Sequence, residues 1–222
     1  MKPHHMIAQQ LSAARGVVSI ALGGSRAQGT ERSDSDWDLG VFYRGELDLS
    51  VLEQYGTVYP PGSWGRLMNG GAWLTIDGIR VDVLLRDLDV VEHWSARADQ
   101  GAFEIDALLG YVAGVPTYSL LAERALSLPL HGPWPDKLRY PDALCERAPE
   151  RWRFNARFAL DYAAKHASRG DRVGTVSMAG RAVIEEAHAR LCEQKRWILN
   201  EKNIVQVAGL AHLQAHFAAQ PN

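Results

Sequence analysis

The chain has 222 residues, of which 46% are hydrophobic and 23% charged, as in an ordinary globular protein of one or two domains. A formal net charge of −2 gives no overall attraction to nucleic acid or to an anionic membrane, and no apolar run approaches the length of a membrane span. We therefore expect neither a nucleic-acid partner nor a membrane partner. Cys145 and Cys192 lack metal-ligand spacing, and we see neither a disulfide framework nor a signal peptide, so we expect a cytoplasmic location.

The first part of the chain alternates between predicted helices and strands. Apolar positions at helical spacing predict a helix over 4–15, which Gly16 ends. The β-branched run 17–22 (VVSIAL) predicts a buried strand, and a glycine-rich turn follows it. Residues 37–43 (WDLGVFY) predict a second strand, and residues 46–55 suit a short helix.

Asp77-Gly78 separates two β-prone runs and is a strong signal for a type I′ hairpin turn. A two-residue turn at this place pairs Ile76 with Ile79 and sets Trp73 opposite Asp82. The alternation of the second strand then directs Asp82 to the polar face of the sheet.

From Asp89 onward the pattern is mostly helical, with long helices predicted over 149–168 and 173–195 and a shorter one over 200–209. Four prolines in 129–141 indicate a linker or an ordered crossover. The predicted fold class is α+β, with a small mixed β-sheet flanked by helices and then an all-helical carboxy-terminal domain. The predicted boundaries are 1–128 for the sheet domain, 129–148 for the crossover and 149–222 for the helical domain.

The pair Asp36 and Asp38 carries the first chemical signal. On a strand, side chains two residues apart point to the same face, and two adjacent carboxylates repel each other unless a cation lies between them. A divalent cation prefers such oxygen ligands, and Asp82 is a candidate third ligand. Asp34 lies in the polar loop TERSDS, where a solvated residue or a local cap is the better interpretation.

The turn that precedes these acids carries the second signal. Gly23 and Gly24 allow backbone N–H groups to approach an anion closely, Ser25 adds a hydroxyl, and Arg26 adds a guanidinium suited to phosphate oxygens. Phosphate donors beside a carboxylate cluster favour a site for phosphoryl or nucleotidyl transfer.

The joint pattern of strand, Gly-Gly-Ser, a spacer of about ten residues, Asp-x-Asp and a later strand aspartate resembles the nucleotidyltransferase domain of the DNA polymerase beta superfamily. The resemblance covers roughly residues 5–90. It implies two Mg²⁺ ions held by Asp36, Asp38 and Asp82, and a nucleoside triphosphate, ATP or another, that releases pyrophosphate.

The size and the helical second half resemble the antibiotic (aminoglycoside or lincosamide) nucleotidyltransferases and related bacterial proteins. This second resemblance implies that AMP is transferred to a hydroxyl of a small-molecule acceptor, with Asp82 as general base. It also implies that the helical half closes over the triphosphate. Lys202 resembles a phosphate-binding lysine, with Lys165 as a rival and an ordinary surface charge as the alternative for each.

Further residues remain open as contributors to an acceptor pocket. Four other acidic residues could bind an amine or form solvated helix faces, namely Glu104, Asp106, Glu185 and Glu186. Ser177 and Arg181 could reach phosphates or lie on a helix surface. Five tryptophans are predicted as core or interface anchors in preference to base-stacking platforms, namely Trp64, Trp73, Trp134, Trp152 and Trp197.

Two other functions stay open from the sequence. The acceptor could be a protein, as in antitoxin-type nucleotidyltransferases, although the helical half favours a small-molecule pocket. The chain could instead be a non-catalytic nucleotide-binding module, although the presence of all three acids argues against this. Polymerisation of RNA or DNA is disfavoured because the charge balance offers no basic track.

Overall fold

The computed structural model describes residues 2–136 and 138–218. The helices are α1 (Pro3–Leu11), α2 (Gly24–Ala27), α3 (Gly65–Met68), α4 (Leu88–Asp99), α5 (Ser119–Leu126), α6 (Asp142–Ala167), α7 (Arg172–Glu193), α8 (Ile204–Val207) and α9 (Ala215–Ala218). The strands are β1 (Val17–Leu22), β2 (Trp37–Tyr43), β3 (Gly56–Tyr59), β4 (Gly71–Ile76), β5 (Ile79–Asp87), β6 (Ile105–Asp106), β7 (Val115–Pro116) and β8 (Leu128–His131). Short 3₁₀ turns occur at Ser50–Leu52 and Ala211–Gln214.

The chain divides into two compact units. The first, here called the sheet unit, comprises Met1–Ser95 and Leu120–Leu138. The second, the helical unit, comprises Ala96–Ser119 and Arg139–Asn222. Each unit therefore contains two separate stretches of the chain, and residues 120–138 return to the sheet unit after the first helical-unit segment.

Among the described residues, the sheet unit contains one mixed sheet of six strands in the order β3-β4-β5-β2-β1-β8. The β2–β5 pair is parallel, and the other neighbouring pairs are antiparallel. This arrangement confirms the predicted α+β class. Because β2 and β5 are parallel and adjacent, residues far apart in sequence become direct neighbours at the centre of the sheet.

One face of the central strands forms the core of the sheet unit. Leu39 and Val41 on β2, with Val83 and Leu85 on β5, are fully buried there and pack with residues of α1. Side chains alternate between the two faces along a strand, so the side chains of Asp38 and Asp82 lie on the face opposite this core. Burial of the apolar side chains therefore fixes which face carries the acids.

The structure confirms several local predictions in detail. The predicted strands 17–22 and 37–43 match β1 and β2 residue for residue. In the β4–β5 hairpin, Asp77 has φ 51° and Gly78 has φ 76°, as a type I′ turn requires. Ile76 pairs with Ile79 in this hairpin.

Several elements differ from the sequence prediction. The short helix suggested for 46–55 is reduced to the 3₁₀ turn Ser50–Leu52, and α8 is shorter than the helix predicted over 200–209. The proline-rich segment contributes β8, which pairs with β1 at the edge of the sheet, and Pro129 is tolerated there because an edge strand has a row of groups without a ladder partner. Helix α6 begins at Asp142, upstream of Pro149, which lies inside it. Pro149 belongs to the buried side of α6 together with Leu144 and Trp152, so tertiary packing offsets the intrinsic penalty of an interior proline.

The helical unit is built around α6 and α7. Small residues at their contact (Ala156, Ala159 and Ala182) form a buried cluster, while Trp152 fills the space nearby and is fully buried. The Trp152 Nε1–H donates a hydrogen bond of 2.9 Å to the Tyr118 hydroxyl, so the polar end of the indole is satisfied inside the core. Within residues 2–136 and 138–218, no helix combines the length and apolar character needed to cross a membrane.

Candidate active site

The acids meet at the centre of the sheet. In the parallel β2–β5 pair, Asp38 and Asp82 are direct register partners, so their side chains leave the same face of the sheet one strand apart. Asp36 immediately precedes β2, two residues before Asp38. The fold thus brings together the three acids that the sequence suggests as a group.

The electrostatic environment of Asp82 shows how crowded this face is. Burial raises the pKa of the Asp82 carboxyl above its usual value, and the negative charge of Asp36 raises it further, whereas Arg80 acts in the opposite direction. Asp36 forms an ion pair with Arg80, in which Nε and Oδ1 are 2.7 Å apart. A positive charge therefore already lies beside the acids. It is the guanidinium of Arg80, two residues before Asp82 on the same face of the strand.

The glycine turn contacts the acids directly. The Gly23 N–H donates a hydrogen bond of 2.8 Å to the Asp38 carbonyl, which extends the β1–β2 pairing by one residue. Gly24 has φ 63°, and a Cβ atom at this position would overlap Oδ2 of Asp38. Glycine is therefore required here both by the backbone conformation and by the closeness of the carboxylate.

Arg26, predicted as a phosphate ligand, has contacts within the chain in this structure. Its guanidinium donates to the carbonyl of Ser35, with Nη2–O at 2.5 Å, and to the carbonyl of Asp36, with Nε–O at 3.1 Å. It also lies over the Trp37 ring, 4.1 Å from the centroid. These contacts join the glycine turn to the loop that leads into the acids, so Arg26 positions Asp36.

The two candidate lysines lie in the helical unit. Lys202 is exposed, and its backbone N–H donates to the Asn200 side chain. The Lys165 ammonium lies 4.5 Å from the centroid of the Tyr162 ring, a cation–π contact within α6. Neither contact tests a role in phosphate binding, so both roles stay predictions.

The helical unit contains a cavity of about 1420 Å³, and three of the acids proposed for an acceptor pocket line it, namely Glu104, Asp106 and Glu185. The Glu185 side chain is 1% exposed and accepts a hydrogen bond of 2.9 Å from Arg181 Nε. Burial raises the pKa of this carboxyl, and Arg181 opposes that shift. Glu186 is instead held by Arg153 and Arg190.

In the part of the chain that the structure describes, no group of three or more histidine, cysteine or acidic side chains has the arrangement of an assembled metal centre. The donor chemistry nevertheless fits a divalent cation, because Asp38 and Asp82 are adjacent and Asp36 raises the pKa of Asp82. The ion pair between Asp36 and Arg80 shows that one of the carboxylates has an alternative partner.

Sequence reasoning missed two features of the site. It gave Arg80 no role, although its position two residues from Asp82 on a strand is a readable signal. It also treated Trp73 as an anchor, although the hairpin register already places it opposite Asp82, and the structure leaves it 54% exposed.

Comparison with known proteins gives one family match, in the amino-terminal part of the chain. Residues 5–97, which contain the glycine turn and all three acids, match the family model of the nucleotidyltransferase domain. This part of the chain is therefore similar to a nucleotidyltransferase domain.

No curated protein sequence matches the chain. Among solved structures, the chain is similar to a nucleotidyltransferase-like protein from Exiguobacterium sibiricum 255-15, with 12% sequence identity and a TM-score of 0.45. The similarity covers 98% of this chain and 66% of that protein.

Proposed function

We propose that the protein is a Mg²⁺-dependent nucleotidyltransferase that moves a nucleoside monophosphate from a triphosphate, ATP being the first choice, to a hydroxyl of a small-molecule acceptor. The observation that carries the proposal is the position of Asp38. It is the register partner of Asp82, and its carboxylate lies against Gly24. Carboxylate oxygens suited to a divalent cation and a backbone turn suited to an anion are thereby in contact.

Asp36, Asp38 and Asp82 would hold the Mg²⁺ ions. Bound there, the ions would neutralise the triphosphate charge and stabilise the attacking and leaving oxygens. The Asp36–Arg80 ion pair would rearrange when a cation arrives, because a divalent ion competes strongly for a carboxylate.

The chain's own residues supply the rest of the proposed chemistry. The acceptor oxygen forms a bond to the α-phosphorus, the bond from that phosphorus to the bridging oxygen breaks, and pyrophosphate leaves. The acceptor's proton passes to the Asp82 carboxylate, which lies beside Asp38 in the sheet and is the proposed general base. The Gly24 and Ser25 segment would bind phosphate oxygens, and Arg26 would hold the Asp36 loop in place.

The helical unit would contribute to substrate binding. Lys202, or Lys165 as its rival, is the proposed lysine contact of the triphosphate, and an amine-bearing compound such as an aminoglycoside is the proposed acceptor.

The test is a pyrophosphate-release screen with Mg²⁺ and each of ATP, GTP, CTP and UTP. It uses aminoglycosides, lincosamides and other hydroxyl compounds as acceptors. Asp38→Asn should lower acceptor-dependent release by roughly 100-fold, because the metal ligand is lost while the shape is kept. Asp34→Asn is the matched control, since Asp34 is exposed and paired with Arg32, and it should retain activity. Full activity of Asp38→Asn would refute the proposal.

A further inference from the structure

Three aromatic side chains form a cluster on the sheet unit, here called the aromatic platform and defined as Tyr59, Trp64 and Trp73. The Trp64 and Trp73 rings are stacked, with centroids 5.6 Å apart, and Tyr59 meets Trp73 edge-on at 4.8 Å. A Cβ atom on Gly71 would come within 2.7 Å of the Trp64 ring, so that glycine leaves the space the ring occupies. The three rings thus pack against one another, and Trp73 is the most exposed of them, at 54%.

The platform lies on the same face of the sheet as the acids. Trp73 is the direct register partner of Asp82 in the antiparallel β4–β5 pair, and such partners have Cβ atoms about 4.5–5.5 Å apart on one face. Asp82 in turn pairs with Asp38, and the Gly23 N–H bonds to the Asp38 carbonyl. On the outer side, Trp73 pairs with the exposed Thr57 of β3.

These five residues form one cross-strand row in the order Thr57, Trp73, Asp82, Asp38 and Gly23. The acids are therefore flanked by the glycine turn on one side and by the platform on the other. With strands about 4.8 Å apart, Trp73 lies about 10 Å from Asp38, a distance that a single sugar-sized ring can span.

In an in-line phosphoryl transfer, the attacking group approaches phosphorus on the side opposite to the one from which the leaving group departs. In the proposed reaction, the glycine turn takes the leaving pyrophosphate, so the nucleophile must come from the side of the platform. Thr57 and Asp82 lie on either side of Trp73 and offer hydrogen-bond partners. A purely apolar ligand would leave these polar groups unpaired.

We infer that the aromatic platform binds the acceptor, that the acceptor is a ring compound bearing hydroxyls, and that Trp73 positions its reacting hydroxyl at Asp82. The face of the ring packs on the indole, and its rim hydroxyls reach Asp82 and Thr57. This assignment rests on the proposed function for the word acceptor, but the binding of such a ring is testable without turnover.

The binding test is saturation-transfer difference NMR on the full chain. Two cyclic polyols, methyl α-D-glucopyranoside and myo-inositol, are compared with the open-chain polyol D-sorbitol. The cyclic compounds should show transfer to their ring C–H protons, and sorbitol should show little. Trp73→Ala should abolish the transfer and Trp73→Phe should keep part of it. Phe217→Ala is the control, because Phe217 is an exposed aromatic residue of the helical unit outside its cavity and should change nothing.

Equal signals from sorbitol and the cyclic compounds, signals that survive Trp73→Ala, or no signal from any cyclic compound would each overturn the inference. A kinetic test uses the acceptor found by pyrophosphate release. Trp73→Ala should raise the KM for that acceptor roughly tenfold and leave the KM for the nucleoside triphosphate unchanged. A rise in the nucleotide KM instead would assign the platform to the nucleobase and overturn the inference. If no compound supports pyrophosphate release, the proposed function fails, while the NMR result still decides whether the platform binds rings.

Discussion

At the scale of single residues, Gly24 and Asp38 form the tightest constraint in the site. Gly24 combines a positive φ with a neighbour, Oδ2 of Asp38, that leaves no space for a Cβ atom. Gly29 shares the positive φ, at 65°, but a Cβ atom there would meet nothing within 4 Å. Alanine substitution should therefore strain the backbone at both glycines, but it should displace the Asp38 carboxylate only at Gly24.

Gly24→Ala should abolish most pyrophosphate release because it displaces Asp38, and it should also abolish the rise in melting temperature that Mg²⁺ or Mn²⁺ gives the unmodified protein. Gly29→Ala should lower the melting temperature through strain of about 1 kcal/mol and retain the metal-induced rise. Differential scanning fluorimetry with and without the metal measures both effects. A metal response in Gly24→Ala equal to that of Gly29→Ala would contradict this explanation.

At the scale of elements, an ion pair joins β5 to α5 inside the sheet unit. Arg86 is 1% exposed, and its Nε and Nη2 each lie 2.5 Å from a carboxylate oxygen of Glu123. The same guanidinium also donates to the carbonyls of Met68 and Leu85. Arg86 follows Asp82 on the same face of β5, so this pair fixes the strand that carries the acid.

Glu123→Gln should lower the free energy of unfolding by about 3–5 kcal/mol, because it leaves a buried guanidinium without its counter-charge. Arg86→Met combined with Glu123→Leu should recover much of that loss, since neither charge then remains buried. Urea unfolding of the three proteins measures the differences. The exposed pair Arg44–Glu92 provides the control, because solvent screens it and Glu92→Gln should have little effect. A double variant no more stable than Glu123→Gln would argue against a charge effect.

At the scale of the whole molecule, each unit buries one histidine against a tryptophan. His4 stacks on Trp37 with ring centroids 3.6 Å apart, and His188 stacks on Trp152 at 4.3 Å. Burial lowers the pKa of His4 to about 4 and that of His188 to about 3. Both side chains are therefore neutral in the folded protein at neutral pH, whereas they take up a proton near pH 6.5 when the chain unfolds.

The unfolded state consequently binds more protons below pH 6.5, so stability should fall as the pH drops from 6.5 toward the folded-state pKa values. For His188 alone the loss between pH 7 and pH 5 is about 2 kcal/mol. Melting temperatures at the two pH values should differ less in His188→Phe than in the unmodified protein, with the exposed His93→Gln following the unmodified protein. An unchanged pH dependence in His188→Phe would contradict the prediction.

Much of the architecture could be predicted from local patterns. The strands β1 and β2 and the turn at Asp77-Gly78 follow from short-range rules, because strand period, β-branching and a two-residue turn act over a few residues. Helix α6 could not be placed as well, since the burial of Pro149 that offsets its intrinsic penalty depends on packing distant in sequence.

The sequence alone predicted the glycine turn and the three acids as one site, because their residue types and spacing are typical of an anion site beside a metal. Only the tertiary structure set the order of the row across the sheet, because the parallel pairing of β2 with β5 makes neighbours of Asp38 and Asp82. The same folding turned Arg26 toward the carbonyls of Ser35 and Asp36, and it left Trp73 exposed beside Asp82. Long-range strand pairing and burial decide these relations, and no local pattern of residues contains them.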